Sequence, residues 1–439
     1  MLKPVFDAAL TPKKRIADAD PGALFPSGLE YNPPARGSRN IVHMAMKVPE
    51  SHQIYICAAG CLRGVVLTAA EMNAMGRMSW VAVREEDLTS ADLEENVYAG
   101  TAAVVERLDP KPRAVFVYVS CVHVFAGIDF AWLLDRLRRR FPGIAFVDSY
   151  MIPTMRKSGL TPEQLTRRGM YQMLEALPVD ETAVNLIGND VPTHRNSELF
   201  LILERAGRRV RDVTECETYD EFLRMGEAAL ELAYYPPAEE AARALASRLG
   251  RRSLYLPFTY EADEIEANAS ALCEALAMDP VDLTACRERA ENALKRAREA
   301  LDGRPVVIDY MASTRPFSMA KLLLDAGIRV TKLYVDGVSG EDLPQFAYLK
   351  EAYPQLLLSP TLDPAMRFRA ENASDVVAVG QKAAYFENTP YFVNMVFGNG
   401  SFGYEAVEYL ADALVEAANA PKDVRRLISH KGMGCESCL

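Results

Sequence analysis

The sequence predicts an α/β fold, three Rossmann-like domains with mainly parallel sheets flanked by helices, and three observations lead there. Short apolar runs rich in Val, Ile, Tyr and Phe alternate with longer stretches of helical periodicity, the pattern of repeated strand–helix–strand units. Most of the short runs are continuously apolar, as expected of parallel strands covered by helices on both faces. The length, 439 residues, exceeds what one hydrophobic core holds, so several domains are expected.

Taken in order, the buried strands are expected at Gln53–Cys57, Ala114–Ser120, Ala145–Asp148, Ala183–Ile187, Leu230–Ala233, Ser253–Leu256, Val306–Tyr310, Arg329–Val335, Gln355–Leu358 and Val376–Val379. Helix starts fall between them. Ser90 precedes the acidic turn Ala91–Glu95, and Asn196-Ser197-Glu198 opens a helix that Gly207 ends. Two shifts in composition mark boundaries. The chain turns polar over Thr161–Asp180, and a charged helix over Pro280–Asp302, with Arg287, Arg289, Glu291, Lys295 and Arg298, leads into Gly303-Arg304-Pro305. The expected division is 1–170, 171–300 and 301–420, each an α/β domain, with a tail over 421–439.

Bulk composition narrows the function classes. With 49% hydrophobic and 25% charged residues the chain reads as globular rather than disordered. A net charge of −11 argues against a nucleic-acid or anionic-membrane surface, both of which reward clustered Lys and Arg. The local run Arg136, Arg138, Arg139 and Arg140 reads as a solvated helix end. The start, Met1–Asp7, lacks the apolar core of a signal peptide, and no stretch approaches the ~20 apolar residues that span a bilayer, so a cytoplasmic protein is expected. In that compartment eight cysteines are buried thiols, metal ligands or redox groups rather than a disulfide framework. No phosphate-binding Gly-x-x-x-x-Gly-Lys-Ser/Thr loop, Gly-x-Ser-x-Gly elbow or His-Glu-x-x-His pair occurs, so ATP hydrolysis by this chain is not expected.

The sharpest local feature is Cys57-Ala58-Ala59-Gly60-Cys61, two cysteines at the carboxyl end of an expected strand on a small-residue turn. Ala114–Ser120 ends the same way in Cys121. Carboxyl ends of parallel strands are where α/β proteins place ligands, and small residues allow close approach. Three convergent soft thiolates suit an iron–sulfur cluster better than a hard cation. The Cys57–Cys61 pair alone fits buried thiols equally well and Cys121 alone is more often a core thiol, and it is the shared placement that favours a metal site. His123, two residues past Cys121, can donate a hydrogen bond, titrate, ligate or simply be a satisfied histidine. Cys435 and Cys438 form a C-x-x-C in the tail, suited to redox or metal work or incidental. Cys216, Cys273 and Cys286 read as structural thiols.

The order of these features resembles the nitrogenase component 1 superfamily, which includes the MoFe protein subunits, the protochlorophyllide and chlorin reductases, nickel-sirohydrochlorin cyclase and the cofactor-assembly scaffold. Glu30–Ala35 resembles the family's Asn-Pro segment, and Ala58-Ala59-Gly60-Cys61 its ligand-bearing Gly-Cys turn. Glu85-Glu86-Asp87 with Tyr98-Ala99-Gly100 is similar to its acidic segment and glycine, and Val119-Ser120-Cys121 with Gly127-Ile128-Asp129 to its strand-end cysteine and the element after it. Asn185–Gly188, Leu201–Gly207 and Leu322–Val330 continue the likeness more loosely. The resemblance implies an oxidoreductase subunit with an iron–sulfur cluster ([4Fe–4S] or larger) at Cys57, Cys61 and Cys121, in the first domain. It implies an anaerobic setting, pairing with a homologous or identical component 1 subunit, electrons from an ATP-dependent Fe-protein-like reductase, and a small-molecule substrate.

Departures from the family refine this. Arg36-Gly37-Ser38-Arg39 holds no cysteine where nitrogenase subunits place their first, and Cys57 stands in as its replacement. Neither Leu230–Pro236 nor Tyr391–Phe397 carries a cysteine or histidine to hold a FeMo-type cofactor, which disfavours dinitrogen as substrate. Tyr234, Tyr235, Tyr310, Arg315 and Phe392 are the expected cavity residues, and no catalytic residue is assigned. The competing readings are a non-catalytic scaffold or carrier for metallocluster or tetrapyrrole assembly, and an α/β binding module without a cluster.

Overall fold

In the computed structural model, residues 8–35, 40–89, 92–152, 155, 159–368 and 375–426 are described. Among the described residues fourteen strands form: β1 (Lys14–Arg15), β2 (Ser51–Cys57), β3 (Met78–Ala82), β4 (Ala114–Ser120), β5 (Ala145–Met151), β6 (Asp180–Leu186), β7 (Arg209–Asp212), β8 (Ala228–Ala233), β9 (Arg252–Tyr255), β10 (Val306–Asp309), β11 (Val330–Tyr334), β12 (Leu357–Ser359), β13 (Val377–Val379) and β14 (Phe392–Val393). All ten expected strands are among them. The chain divides into two compact units, Arg39–Pro192 with Gly207–Tyr255, and Met1–Ser38 with Thr193–Ala206 and Leu256–Leu439.

The first of these units holds two four-stranded sheets, ordered β3-β2-β4-β5 and β7-β6-β8-β9, with every pairing parallel. Parallel strands need crossover helices, and these bury both faces. Alternate residues of β2 therefore serve opposite layers. Ile54 and Ile56 pack with Val115, Val117, Val97, Val105, Leu133 and Leu137 on one side, while Gln53, Tyr55 and Cys57 face the other. There Tyr55 stacks on Tyr118, ring centroids 4.5 Å apart and nearly parallel.

The second unit holds a six-stranded sheet ordered β1-β12-β11-β10-β13-β14, parallel except where β1 runs against β12. The helices Thr284–Leu301 and Tyr404–Asn419 lie in the same unit and are joined by ion pairs Arg289–Glu408 and Arg296–Asp412. The helix Glu198–Arg205 opens at Ser197 as expected and closes at Gly207, whose φ of +65° suits glycine. The cation-rich helix Phe130–Arg140 ends as a solvated face. Arg136 lies over Tyr98 and pairs with Glu95, Arg140 pairs with Glu106, and Arg139 with Asp135.

Candidate metal-cluster site

Each sheet has a point where the strand order reverses, and ligands in open α/β sheets bind outside the carboxyl ends of the strands there. In the first sheet the chain leaves β2 for β3 on one side and returns to β4 on the other. Cys57 is the last residue of β2, its carbonyl accepting from the Val83 N–H at 3.0 Å. Cys121 directly follows β4 and begins the short helix Cys121–Ala126. Cys61 is in the first turn of the helix Ala59–Glu71, its N–H on the Ala58 carbonyl at 2.9 Å. The three cysteines thus share one carboxyl edge, at the switch point of one sheet.

Their environments differ. Cys57 is fully buried, Cys121 half-buried and Cys61 exposed. Burial, and then the neighbouring Cys61, pushes the Cys57 thiol up to about 12. Ala59 and Gly60 are exposed, and a Cβ at Gly60 would meet nothing within 4 Å, so the turn is open to a close neighbour. Below it the stacked tyrosines form a fixed floor: Tyr55 donates to Gln53 Oε1 at 2.5 Å, and Tyr118 to the Ile41 carbonyl at 3.0 Å.

His123 adds a polar group to this edge. The Ser120 N–H donates to its Nδ1 at 3.1 Å, capping the helix, and burial lowers its pKa. Its Nε2 is buried with no hydrogen-bond partner. The adjacent Val124 and Phe125 are exposed, 62% and 82%. Three thiols, an open small-residue turn and an orphaned buried nitrogen fit a sulfur-rich cluster. Among the described residues no group of three or more His, Cys, Asp or Glu is arranged to hold a metal ion. A cluster shares its thiolates among several irons rather than converging them on one.

The other switch points carry the remaining expected residues. At the ends of β6 and β8, Gly188 adopts φ +80° and Tyr234 and Tyr235 are buried. Arg167 beside them is held by Asp190 at 2.8 Å and Glu163 at 3.0 Å, 5.1 Å from the Tyr235 ring. At the ends of β10 and β13, Tyr310 accepts from Lys382 Nζ at 2.9 Å. Lys382, missed in the sequence, is only 5% exposed and follows Gly380, whose φ is +103°. The signal was the Gly-Gln-Lys step after an apolar strand. Arg315 is buried and pairs with Glu264 and with Gln345 at 2.8 Å, and Phe392 is buried in β14. Cys273 and Cys286 are buried, Cys216 donates to the Asp212 carbonyl at 3.4 Å, and Cys435 and Cys438 lie outside the described residues.

Residues 42–419 match the model of the nitrogenase component 1 type oxidoreductases. The chain belongs to this family. The solved structure "Nitrogenase Cp1 at pH 6.5" has the same fold, with a TM-score of 0.66 at 13% identity, covering 90% of this chain and 94% of that one. "Nitrogenase Cp1 at pH 5" matches with a TM-score of 0.55 at 12% identity, covering 90% of each. No curated protein matches the chain. Membership in this family supports an oxidoreductase-type or cofactor-scaffold role. No helix among the described residues is long and apolar enough to cross a membrane.

Proposed function

We propose that the chain is a nitrogenase-like component 1 subunit that carries an iron–sulfur cluster on Cys57, Cys61 and Cys121, takes electrons from a separate ATP-hydrolysing reductase and reduces a small molecule other than dinitrogen. The observation that carries the reading is the placement of all three cysteines on the carboxyl edge at the switch point of one parallel sheet. A bound cluster supplies one-electron storage at low potential. Cys57 anchors the site from within the core, Cys61 presents its sulfur at the surface, and Cys121 closes the far side.

The exposed Cys61, Val124 and Phe125 suit a site completed by a second component 1 subunit, identical or homologous. Met395 and Val396 are buried and apolar, and Tyr234 and Tyr235 directly follow β8, so these positions offer no thiolate or imidazole for a FeMo-type cofactor. That supports a substrate other than dinitrogen. Exposure of Cys61 also suits a scaffold that loads and releases a cluster. Adding a nitrogenase-type reductase with MgATP separates the two. An electron-transfer subunit is reduced in an ATP-dependent manner and turns over, whereas a scaffold loses its cluster to an apo-acceptor without turnover.

A further inference from the structure

We propose that the free edge of β3 is an interface with a second copy of this chain, the two β3 strands pairing antiparallel about a two-fold axis at Trp80 to join their sheets. The inference needs no cluster, and the contact is separate from the one at the thiol edge. β3 ends its sheet and is bonded to β2 alone. The Val83 N–H, just past β3, donates to the Cys57 carbonyl at 3.0 Å. Successive residues of a strand turn their N–H and C=O to opposite sides. Ser79 and Val81 therefore bond β2 as Val83 does. Met78, Trp80 and Ala82 turn both groups outward, where no described residue hydrogen-bonds them.

Folded proteins blunt such edges with charge, proline or cover. The other sheet edges among the described residues follow that rule. β1 carries Lys14 and Arg15, β5 Asp148, β7 Arg209, Arg211 and Asp212, and β9 Arg252, while β14 is buried. β3 reads Met-Ser-Trp-Val-Ala, without charge or proline, and Trp80 is 47% exposed. Exposed Met75 and Leu88 precede and follow it in the sequence.

The outward groups of Met78, Trp80 and Ala82 are spaced symmetrically about Trp80, so this edge is complementary to itself. With the axis at Trp80, the two Trp80 residues face each other as a hydrogen-bonded pair, and Met78 faces Ala82 of the second copy in the same way. The two indole rings then become a cross-strand pair on one face. No like charges meet, because the strand carries none and Arg84 beyond it falls opposite Gly76. An antiparallel strand on the edge of a parallel sheet already occurs in this chain, at β1.

Sedimentation equilibrium of the full chain, purified anaerobically as wild type, Trp80→Lys and Ala82→Pro, tests this. Lys sets like charges at the axis, and Pro removes an outward N–H that its own sheet does not use. Each variant should sediment at half the wild-type mass, with that association step at least about thirtyfold weaker. In a Cys61→Ala background, mild oxidation should link Trp80→Cys chains into dimers, because the Cα atoms of a hydrogen-bonded pair lie about 5.5 Å apart. Met78→Cys faces Ala82 of the second copy and should not link. A monomeric wild type overturns the proposal, as does a Trp80→Cys chain that links no faster than Met78→Cys. If the Lys and Pro variants do not accumulate, that comparison decides alone.

Discussion

Replacing Glu231 by Gln removes a buried carboxyl whose cost grows with pH. Glu231 is fully buried in the middle of β8, and its Oε2 accepts from Asn185 Nδ2 at 2.8 Å. Glu231 Oε1 and Asn185 Oδ1, both acceptors, have no partner. Burial raises the Glu231 pKa from 4.5 to about 7 against the opposing bond from Asn185. A carboxyl that holds its proton more tightly when folded stabilises the fold fully below 4.5, and that stability is lost as pH rises to about 7. At 1.36 kcal/mol per pH unit the loss is about 3 kcal/mol. Gln carries an N–H permanently, which can serve the orphaned Asn185 oxygen at every pH. The difference in unfolding free energy between variant and wild type, measured by urea denaturation of the iron-free protein, should grow in favour of Gln from pH 4.5 to 7 and then level off. A difference independent of pH refutes the assignment.

Further outcomes follow from the packing. Gly380→Ala drives a Cβ into the buried Asp309 carboxyl at φ +103°, and should cost more than about 3 kcal/mol, seen as a large fall in Tm or loss of soluble protein. Arg77→Met removes hydrogen bonds to the carbonyls of Met46 at 3.0 Å, Val48 at 2.6 Å and Ser51 at 3.1 Å, and should cost roughly 3 kcal/mol in urea titrations. Cys216→Ser alters a thiol remote from the switch point and should leave iron and sulfide content at the wild-type level.

What the sequence hid is physically consistent. The four strands it did not reveal, β1, β3, β7 and β14, each lie at the end of a sheet. An edge strand is shielded on fewer sides, so β3 reads Met-Ser-Trp-Val-Ala with Trp80 exposed, and β7 reads Arg-Val-Arg-Asp. Interior strands such as β2 and β4 are buried at every residue and stand out as apolar runs. The thiol edge was legible because its cysteines follow two such runs directly. The unpartnered His123 nitrogen, the Asn185–Glu231 pair and Lys382 beside Tyr310 were not, since each depends on which neighbour arrives in three dimensions.

Iron and acid-labile sulfide in protein purified anaerobically, as wild type and as Cys61→Ala, test the central claim most directly. Cys61 is exposed and the substitution should change folding stability by no more than about 0.5 kcal/mol. The account predicts a brown wild type with iron and sulfide in near-equal amounts, and a folded variant that has lost both. A colourless, iron-free wild type, or a variant with undiminished iron, contradicts it.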